Sequence, residues 1–310
     1  MSGKVLLLIS VMVLLAISCN VGDPFSISNL YTTAVLQFDN LPVLENNYHY
    51  EGWALIDNQD RSLGKFKIDQ DGNITDIGGV LVPEGRIGTE FDMSEATQFK
   101  ISIEEDTDAN NTPSGSYILI GNVSGFSAVL SVSHQDAVGV SFTSSTGQYL
   151  LATPSTTDTN DEKSGIWFMT DLGTEPTPGL DIPDLETDWV YEGWITINNI
   201  TMSTGQFDLP GAGDSLDEFT GTEPIPFLPG EDFVTNAPTG LTFPTDLSGA
   251  EIKITLEADK DDDRDAPSKF IVFTGQIPTD AVEHSVYSLT NESSTLPSGT
   301  IALYKDDERR

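Results

Sequence analysis

The sequence is poor in cysteine, in basic residues and in histidine. It has one cysteine, three histidines, and 14 lysine and arginine residues against 49 aspartate and glutamate residues. A single cysteine excludes disulfide bonds within the chain. The formal net charge of −35 argues against binding to nucleic acid, because lysine and arginine hold the phosphates. The same charge repels anionic lipid headgroups, so attachment to a membrane needs an apolar device.

Catalytic and metal-binding motifs are also missing from the sequence. The histidines, His49, His134 and His284, stand far apart, so no pair has the spacing of metal ligands. There is no HExxH, GxSxG or GxxxxGK motif. Carboxylates are so numerous that no single pair of them indicates glycoside hydrolysis. We therefore expect a protein that is not an enzyme and that has no cofactor, apart from the calcium considered below.

The N-terminal segment MSGKVLLLISVMVLLAISCN has the layout of an export signal. Its apolar run, from Val5 to Ala16, is too short to cross a hydrocarbon layer of roughly 30 Å as a helix. The stretch LAISC, which ends at Cys19, resembles the lipobox of bacterial lipoproteins. We expect a signal peptide over residues 1–18, cleavage before an acylated Cys19, and a tether over residues 19–29. An acylated cysteine carries several lipid chains, which anchor a protein stably where a single chain is marginal.

Several short patterns occur twice along the chain, in the same order. YEGW stands at 50–53 and at 191–194, and a glycine follows each tryptophan after eleven residues. FKISIEEDTD at 99–108 has a counterpart in EIKITLEADK at 251–260. GQYLLATP…SGIWFM at 147–169 is aligned with HSVYSLTN…SGTIAL at 284–303. A repeat of this length indicates a duplicated domain rather than a solenoid.

Within each copy, apolar residues alternate with polar ones, as Ile101 and Ile103 alternate with Lys100 and Ser102. A period of two between turns rich in Gly, Pro, Asn and Asp is typical of strands. We therefore expect an all-β protein, with two tandem antiparallel β-sandwich domains after the cleaved lipoprotein signal peptide. The expected boundaries are 30–171 for the first domain, 172–186 for a proline-rich linker and 187–306 for the second domain.

A resemblance to a known family lies in the run LPVLENNYHYEGWALIDNQDRSLGKF and the later run FKISIEEDTDANNTPSGSYILIGNVSG. Together they are similar to the extracytoplasmic domain of anti-sigma-K factors, and the second copy repeats the pattern with a longer insert before its Glu257 strand. Factors of that family grip a sigma factor with a cytoplasmic helical domain that precedes a membrane-spanning helix. The sequence shows neither of these parts, so we expect no direct binding of a sigma factor.

The YEGW strands raise two interpretations. In a strand, Tyr and Gly face the core while Glu and Trp face the other side. In the first interpretation the tryptophan fills space, the glycine makes room for it, and the glutamate accepts a hydrogen bond at the rim. In the second, the Trp and Glu pair faces a sugar or peptide ligand. The candidate ligand-facing residues are Glu51, Trp53, Glu192 and Trp194.

An acidic series follows the glutamate-ending strand of each copy. Its candidate ligands for calcium are Asp106, Asp108 and Asn110 in the first copy and Asp259, Asp261 and Asp263 in the second. Alternating oxygen atoms on a tight loop suit calcium, although neither series has the glycine and glutamate positions of an EF-hand. The simpler interpretation is a pair of acidic hairpin loops, and calcium stays a candidate beside it.

These features predict a non-catalytic lipoprotein of the cell envelope, held to the membrane by its N-terminal lipid in the periplasm or on the cell surface. Its modules would serve interaction or scaffolding with an unidentified envelope protein or glycan. Two alternatives stay open: an envelope sensor that acts with a sigma and anti-sigma pair, and a surface protein that binds calcium or carbohydrate. Gene neighbourhood separates the first alternative, because a sensor should lie beside a sigma-factor gene.

Overall fold

The computed structural model describes residues 30–44, 47–107, 111–173, 175–185, 188–258 and 266–305. These residues form antiparallel strands, with short 3-10 turns at Pro83–Gly85 and Ser293–Thr295. The predicted all-β, sandwich-like fold class is therefore confirmed. Cys19 and the expected signal peptide and tether, residues 1–29, lie outside the described residues. Within the described ranges, no helix is long and apolar enough to cross a membrane.

The strands follow the two sequence repeats. Those of the first repeat are β1 (Tyr31–Asp39), β2 (Tyr48–Ile56), β3 (Gln59–Ile68), β4 (Ile74–Thr75), β5 (Arg86–Gly88), β6 (Gln98–Glu105), β7 (Tyr117–Ser124), β8 (Ser127–Ser131) and β9 (Thr146–Leu151). Those that follow are β10 (Gly165–Trp167), β11 (Met169–Asp171), β12 (Thr177–Pro178), β13 (Leu180–Asp181), β14 (Trp189–Ile197), β15 (Ile200–Phe207), β16 (Gly230–Asp232), β17 (Glu251–Ala258), β18 (Ile271–Gln276), β19 (Tyr287–Ser288), β20 (Thr290–Asn291) and β21 (Ser298–Lys305).

Each YEGW strand belongs to a tight hairpin. Asp57 and Asn58 join β2 to β3 with φ values of 53° and 58°, and Asn198 and Asn199 join β14 to β15 with values of 51° and 65°. Two consecutive left-handed residues are the requirement of a type I′ turn, whose twist matches that of the strands it joins. Aspartate and asparagine tolerate this conformation better than other residues with a side chain. The local sequence therefore sets the register of both hairpins.

Part of the strand order is the same in the two halves of the molecule. The first sheet runs β4-β3-β2-β6-β7-β8-β21-β1-β5. In the second half, β15-β14-β17-β18-β20 forms one sheet, and β13-β9-β10-β16 forms another, in which β9 also pairs with β19. We call β1 to β8 with β21 the first body, and β10 to β20 with β9 the second body. The order β3-β2-β6-β7 of the first body thus corresponds to β15-β14-β17-β18 of the second, and β21-β1-β5 corresponds to β9-β10-β16, whereas β4, β11, β12 and β13 have no counterpart.

The final strand of each repeat lies in the other repeat's body. In β21, Ile301 lies opposite Leu36 of β1 and Ala128 of β8. In β9, Leu151 lies opposite Ile166 of β10, and Tyr149 lies opposite Tyr287 of β19. Strand pairing therefore runs across the expected domain boundaries of 30–171 and 187–306. The stretch SGIW at the start of β10 takes the place of β1, and not the place of β21 to which the sequence alignment assigned it.

The core of the molecule is shared by both repeats as a result. Leu303 and Leu151, on the two exchanged strands, belong to one cluster of buried hydrophobic side chains. The cluster contains Phe66 of the first body and Phe273 of the second. Because the exchanged strands bring apolar side chains to the opposite body, neither repeat has its full set of core residues on its own.

The glycine of each YEGW strand accommodates a bulge in the neighbouring strand. The register of β2 with β3 shifts between Gly52 and Trp53, so that Leu63 is an extra residue in β3; Thr204 has the same place in β15. A Cβ atom on Gly52 would lie 3.4 Å from Leu63. A Cβ atom on Gly193 would lie 2.2 Å from the Thr204 hydroxyl and 2.9 Å from the Phe168 ring. The glycine therefore makes room for the bulge residue, more tightly in the second copy.

The two glycines are expected to differ in their tolerance of alanine. Gly193→Ala should lower the free energy of unfolding by about 1–3 kcal/mol, because the new methyl overlaps a rigid aromatic ring. Gly52→Ala should change it by less than about 1 kcal/mol, since its methyl would make an ordinary contact. Chemical denaturation of both variants and the wild type measures the difference. Equal losses in the two variants would contradict this account of the bulges.

Candidate functional site

A cleft of about 550 Å³ lies between the two repeats, beside the ends of β6 and β17. Gly52 lies opposite Ile101, and Gly193 lies opposite Ile254, so Glu104 and Glu257 occupy equivalent positions. The cleft is lined by corresponding residues of the two copies, Ile103, Glu104, Pro113 and Ser114 with Leu256, Glu257, Pro267 and Ser268. Residues of both repeats thus form one concave site.

In the first repeat, a hydrogen-bonded relay connects the YEGW tryptophan to the wall of the cleft. The Trp53 indole N–H donates to the Ser102 hydroxyl at 2.8 Å. That hydroxyl donates to Oε1 of Glu104 at 2.5 Å. The backbone N–H of Ser114 donates to the same oxygen at 2.9 Å. Because Glu104 and Ser102 are both buried, this relay supplies the hydrogen bonds that a buried carboxylate needs.

The second repeat contains the same relay. The Trp194 indole N–H donates to the Thr255 hydroxyl at 2.9 Å, and that hydroxyl donates to Oε1 of Glu257. The backbone N–H of Ser268 completes the arrangement at 3.0 Å. The second YEGW motif thus has the same structural task as the first.

The four candidate ligand-facing residues are internal. The exposed fractions are 5% for Glu51, 1% for Trp53, 1% for Glu192 and 1% for Trp194. Ser62 donates a hydrogen bond to Glu51, and burial raises the pKa of Glu51. Ser203 donates to Glu192 at 2.5 Å. The structure therefore places these side chains in packed, hydrogen-bonded positions, and the tryptophans act on the cleft through Glu104 and Glu257.

Two serines shape the loops at the rim of the cleft. The Ser114 hydroxyl donates to the carbonyl of Ile103 at 2.8 Å and accepts the N–H of Ser116 at 3.2 Å. The Ser268 hydroxyl donates to the carbonyl of Leu256 at 2.7 Å, and it accepts the N–H of Phe270 at 3.1 Å. Each hydroxyl thus ties the loop to the strand that carries the glutamate. This tie orients the serine N–H toward the carboxylate.

The remainder of the wall is mainly apolar, with Glu105 and Lys269 as its charged members, and it contains one buried donor without a partner among the described residues. Val43, Leu44 and Tyr48 line one side of the cleft, and Trp189 and Phe270 line another. Trp189 and Phe270 meet edge to face, with ring centroids 6.0 Å apart. The Trp189 side chain is buried, and its indole nitrogen has no hydrogen-bond partner among the described residues.

The structure describes one of the six candidate calcium ligands, Asp106. Asp106 is engaged by His49 and by Lys67, each at 2.9 Å. The other five candidates, Asp108, Asn110, Asp259, Asp261 and Asp263, lie outside the described residues. In the part of the chain that is described, no group of three or more His, Cys, Asp or Glu side chains could hold a metal ion. Calcium binding stays a prediction.

Sequence reasoning missed Glu104, Glu257 and Trp189 as site residues. A signal for the glutamates was present, because SIE at 102–104 and TLE at 255–257 both place a hydroxyl two residues before a carboxylate on a strand. Residues two apart on a strand share one face. In so acidic a chain, however, this pattern alone could not be distinguished from a solvated surface. Only the hydrogen bonds of the tryptophan relays and the burial of Glu104 and Glu257 distinguish this pattern from a solvated surface.

Removal of the relay hydroxyl should be costly in either copy. Ser102→Ala and Thr255→Val each deprive a buried indole N–H of its acceptor and a buried carboxylate of a donor, so each should lower the free energy of unfolding by roughly 2–4 kcal/mol. Ser127→Ala, on an exposed position of β8, is the control, with a change within about 0.5 kcal/mol. Denaturant titration measures all three. A loss in only one copy would show that the relays are not equivalent.

Comparison of the chain with protein-family models found no match, and comparison with curated proteins and with solved structures found none. The cleft, its paired glutamates and the two relays are therefore the observations on which a function can be proposed.

Proposed function

We propose that the chain is a non-catalytic ligand-binding lipoprotein of the cell envelope, in which two anti-sigma-K-like repeats together form one receptor body. The observation that carries the proposal is the cleft between the repeats, with an equivalent buried glutamate from each. A volume of about 550 Å³ suits a small organic molecule. Both repeats contribute to the walls of the cleft, so one repeat alone would supply half of the site.

The chemistry of the wall indicates the class of ligand. Among the described ion pairs none involves Glu104, so its negative charge is available to a cationic group. The net charge of −35 raises the local concentration of cations around the protein. Apolar walls suit a hydrophobic body. The ligand we propose is a compact apolar molecule with a protonated amine.

The site belongs outside the cytoplasm in this proposal. Acylated Cys19 holds the protein to a membrane, and the partner is a component of the envelope rather than nucleic acid or a sigma factor. The charge supports this exclusion of nucleic acid. The lipobox-like LAISC supports the anchor.

The anchor is tested by metabolic labelling. Cells that express the full chain and are fed an alkyne analogue of palmitate should yield a labelled protein in the membrane fraction. Cys19→Ser should abolish the label and move the protein to the soluble fraction. Incorporation of label into the Cys19→Ser variant would refute the assignment of the lipid to this residue.

The ligand class is tested with two molecules of the same shape and opposite charge. 4-Phenylbutylamine should bind to the purified protein in isothermal titration, and 4-phenylbutyrate should not. Glu104→Gln should weaken binding of the amine by roughly 10- to 100-fold, because a hydrogen bond to a charged group is lost. Glu95→Gln, at an exposed position, should leave the affinity unchanged. Equal binding of the acid and the amine would refute the proposed class.

A further inference from the structure

The two bodies differ in polarity at two matched positions of their frameworks. In the first body, Ile87 of β5 lies opposite Ala34 of β1. In the second, Glu231 of β16 lies opposite Ile166 of β10. The bulge residue also changes, from Leu63 in the first body to Thr204 in the second. The second body thus has a carboxylate and a hydroxyl where the first body has two aliphatic side chains.

Glu231 is fully buried on the core side of its strand. Its exposed fraction is 0%, and it shares a face with Ile166, which belongs to the main hydrophobic cluster. Oε1 accepts hydrogen bonds from the Thr220 hydroxyl and, at 3.0 Å, from the Asp232 N–H. Oε2 has no partner among the described residues, and neither does the Thr204 hydroxyl. No described ion pair involves Glu231.

The titratable group that acts on Glu231 is another carboxyl group, that of Asp214. Asp214 accepts the backbone N–H of Leu216 at 2.9 Å and that of Gly230 at 2.8 Å. Asp232, the next residue of β16, is engaged elsewhere, by the Trp167 indole N–H and the Ser155 backbone N–H, each at 2.8 Å. The charges that face Glu231 are therefore negative.

Burial and the neighbouring carboxyl group favour the protonated form of both acids. Burial raises the pKa of Glu231 to about 8, and the negative charge of Asp214 adds to this effect. Burial raises the pKa of Asp214 to about 7, and the charge of Asp217 acts in the same direction. An unpaired charge in an apolar interior is costly, so a buried acid without a cation keeps its proton.

We propose that Glu231 makes the second body a proton-controlled element of the fold. With its proton in place, β16 stays paired with β10 against the core. Loss of the proton leaves a buried, unpaired negative charge beside Asp214, and β16 leaves the core to hydrate it. The first body has no equivalent control, because Ile87 occupies the corresponding position. The protein would thus respond to the pH outside the cytoplasm through one half of a symmetric framework.

The sign of the pH dependence follows from the raised pKa. A carboxyl group whose pKa is higher in the folded state than in the unfolded state binds its proton more tightly when the protein is folded. Its contribution to stability is fully present below the unfolded value, near 4.5, and is lost as the pH rises through about 8. Stability should therefore fall between pH 5 and pH 8 and then level off.

Thermal unfolding of the full chain from pH 5 to pH 9 tests the proposal. The wild-type Tm should fall over this range by roughly 5–10 °C. Glu231→Gln removes the charge at nearly constant shape, so it should reduce that fall by a clear margin; the remainder belongs to Asp214, Asp232 and Glu51, whose pKa values burial also raises. Glu223→Gln, at an exposed position between β15 and β16, should behave as the wild type does. Parallel curves for the wild type and Glu231→Gln would overturn the proposal.

A second variant and a local measurement keep the proposal testable if Glu231→Gln fails to fold. The double variant Glu231→Ile with Thr204→Leu carries the residues of the first body, and its Tm should fall between pH 5 and pH 8 no more than that of Glu231→Gln. Hydrogen exchange, corrected for intrinsic rates, should show that β16 and β10 lose protection above pH 8 while β5 and β1 keep it. Equal loss of protection in both bodies would refute local control by Glu231.

Discussion

The exchange of final strands is the constraint on which the rest of the structure depends. A strand inside a sheet has backbone donors and acceptors that must be paired, and those of β21 and β9 are paired by the opposite repeat. The two repeats therefore hold each other's cores closed and cannot separate without breaking two sheets. Residues at the ends of β6 and β17 line one cleft within this connected structure.

The tryptophan relays explain why the YEGW motif occurs twice although solvent does not reach its residues. Each relay delivers an indole N–H through a hydroxyl to one oxygen of a buried glutamate. In each relay a hydroxyl and a backbone N–H donate to one oxygen of the glutamate, so hydrogen bonds hold the carboxylate in place at the wall of the cleft. Hydrogen bonds of this kind orient a carboxylate.

Symmetry of the backbone permits the two bodies to differ in their chemistry. The bulge and the short strand next to it are geometrically the same in both, yet one body fills them with Leu63 and Ile87 and the other with Thr204 and Glu231. The aliphatic choice stabilises the fold at every pH. The polar residues Thr204 and Glu231 lower the stability above pH 7. The two bodies therefore contribute differently to the stability of the chain.

The sequence by itself determined the strands, the hairpin turns and the duplication, because these depend on local alternation and on Asp and Asn in left-handed turns. It also located the two YEGW tryptophans and gave a packing role as one of two interpretations for them. Only the tertiary structure decided that β9 and β21 change places, since a period of two specifies the face of a strand and not its partner. Only the tertiary structure distinguished Glu104, Glu257 and Glu231 from the many other acidic residues. Burial sets the energy of a carboxylate, and burial depends on contacts between residues that lie far apart in the chain.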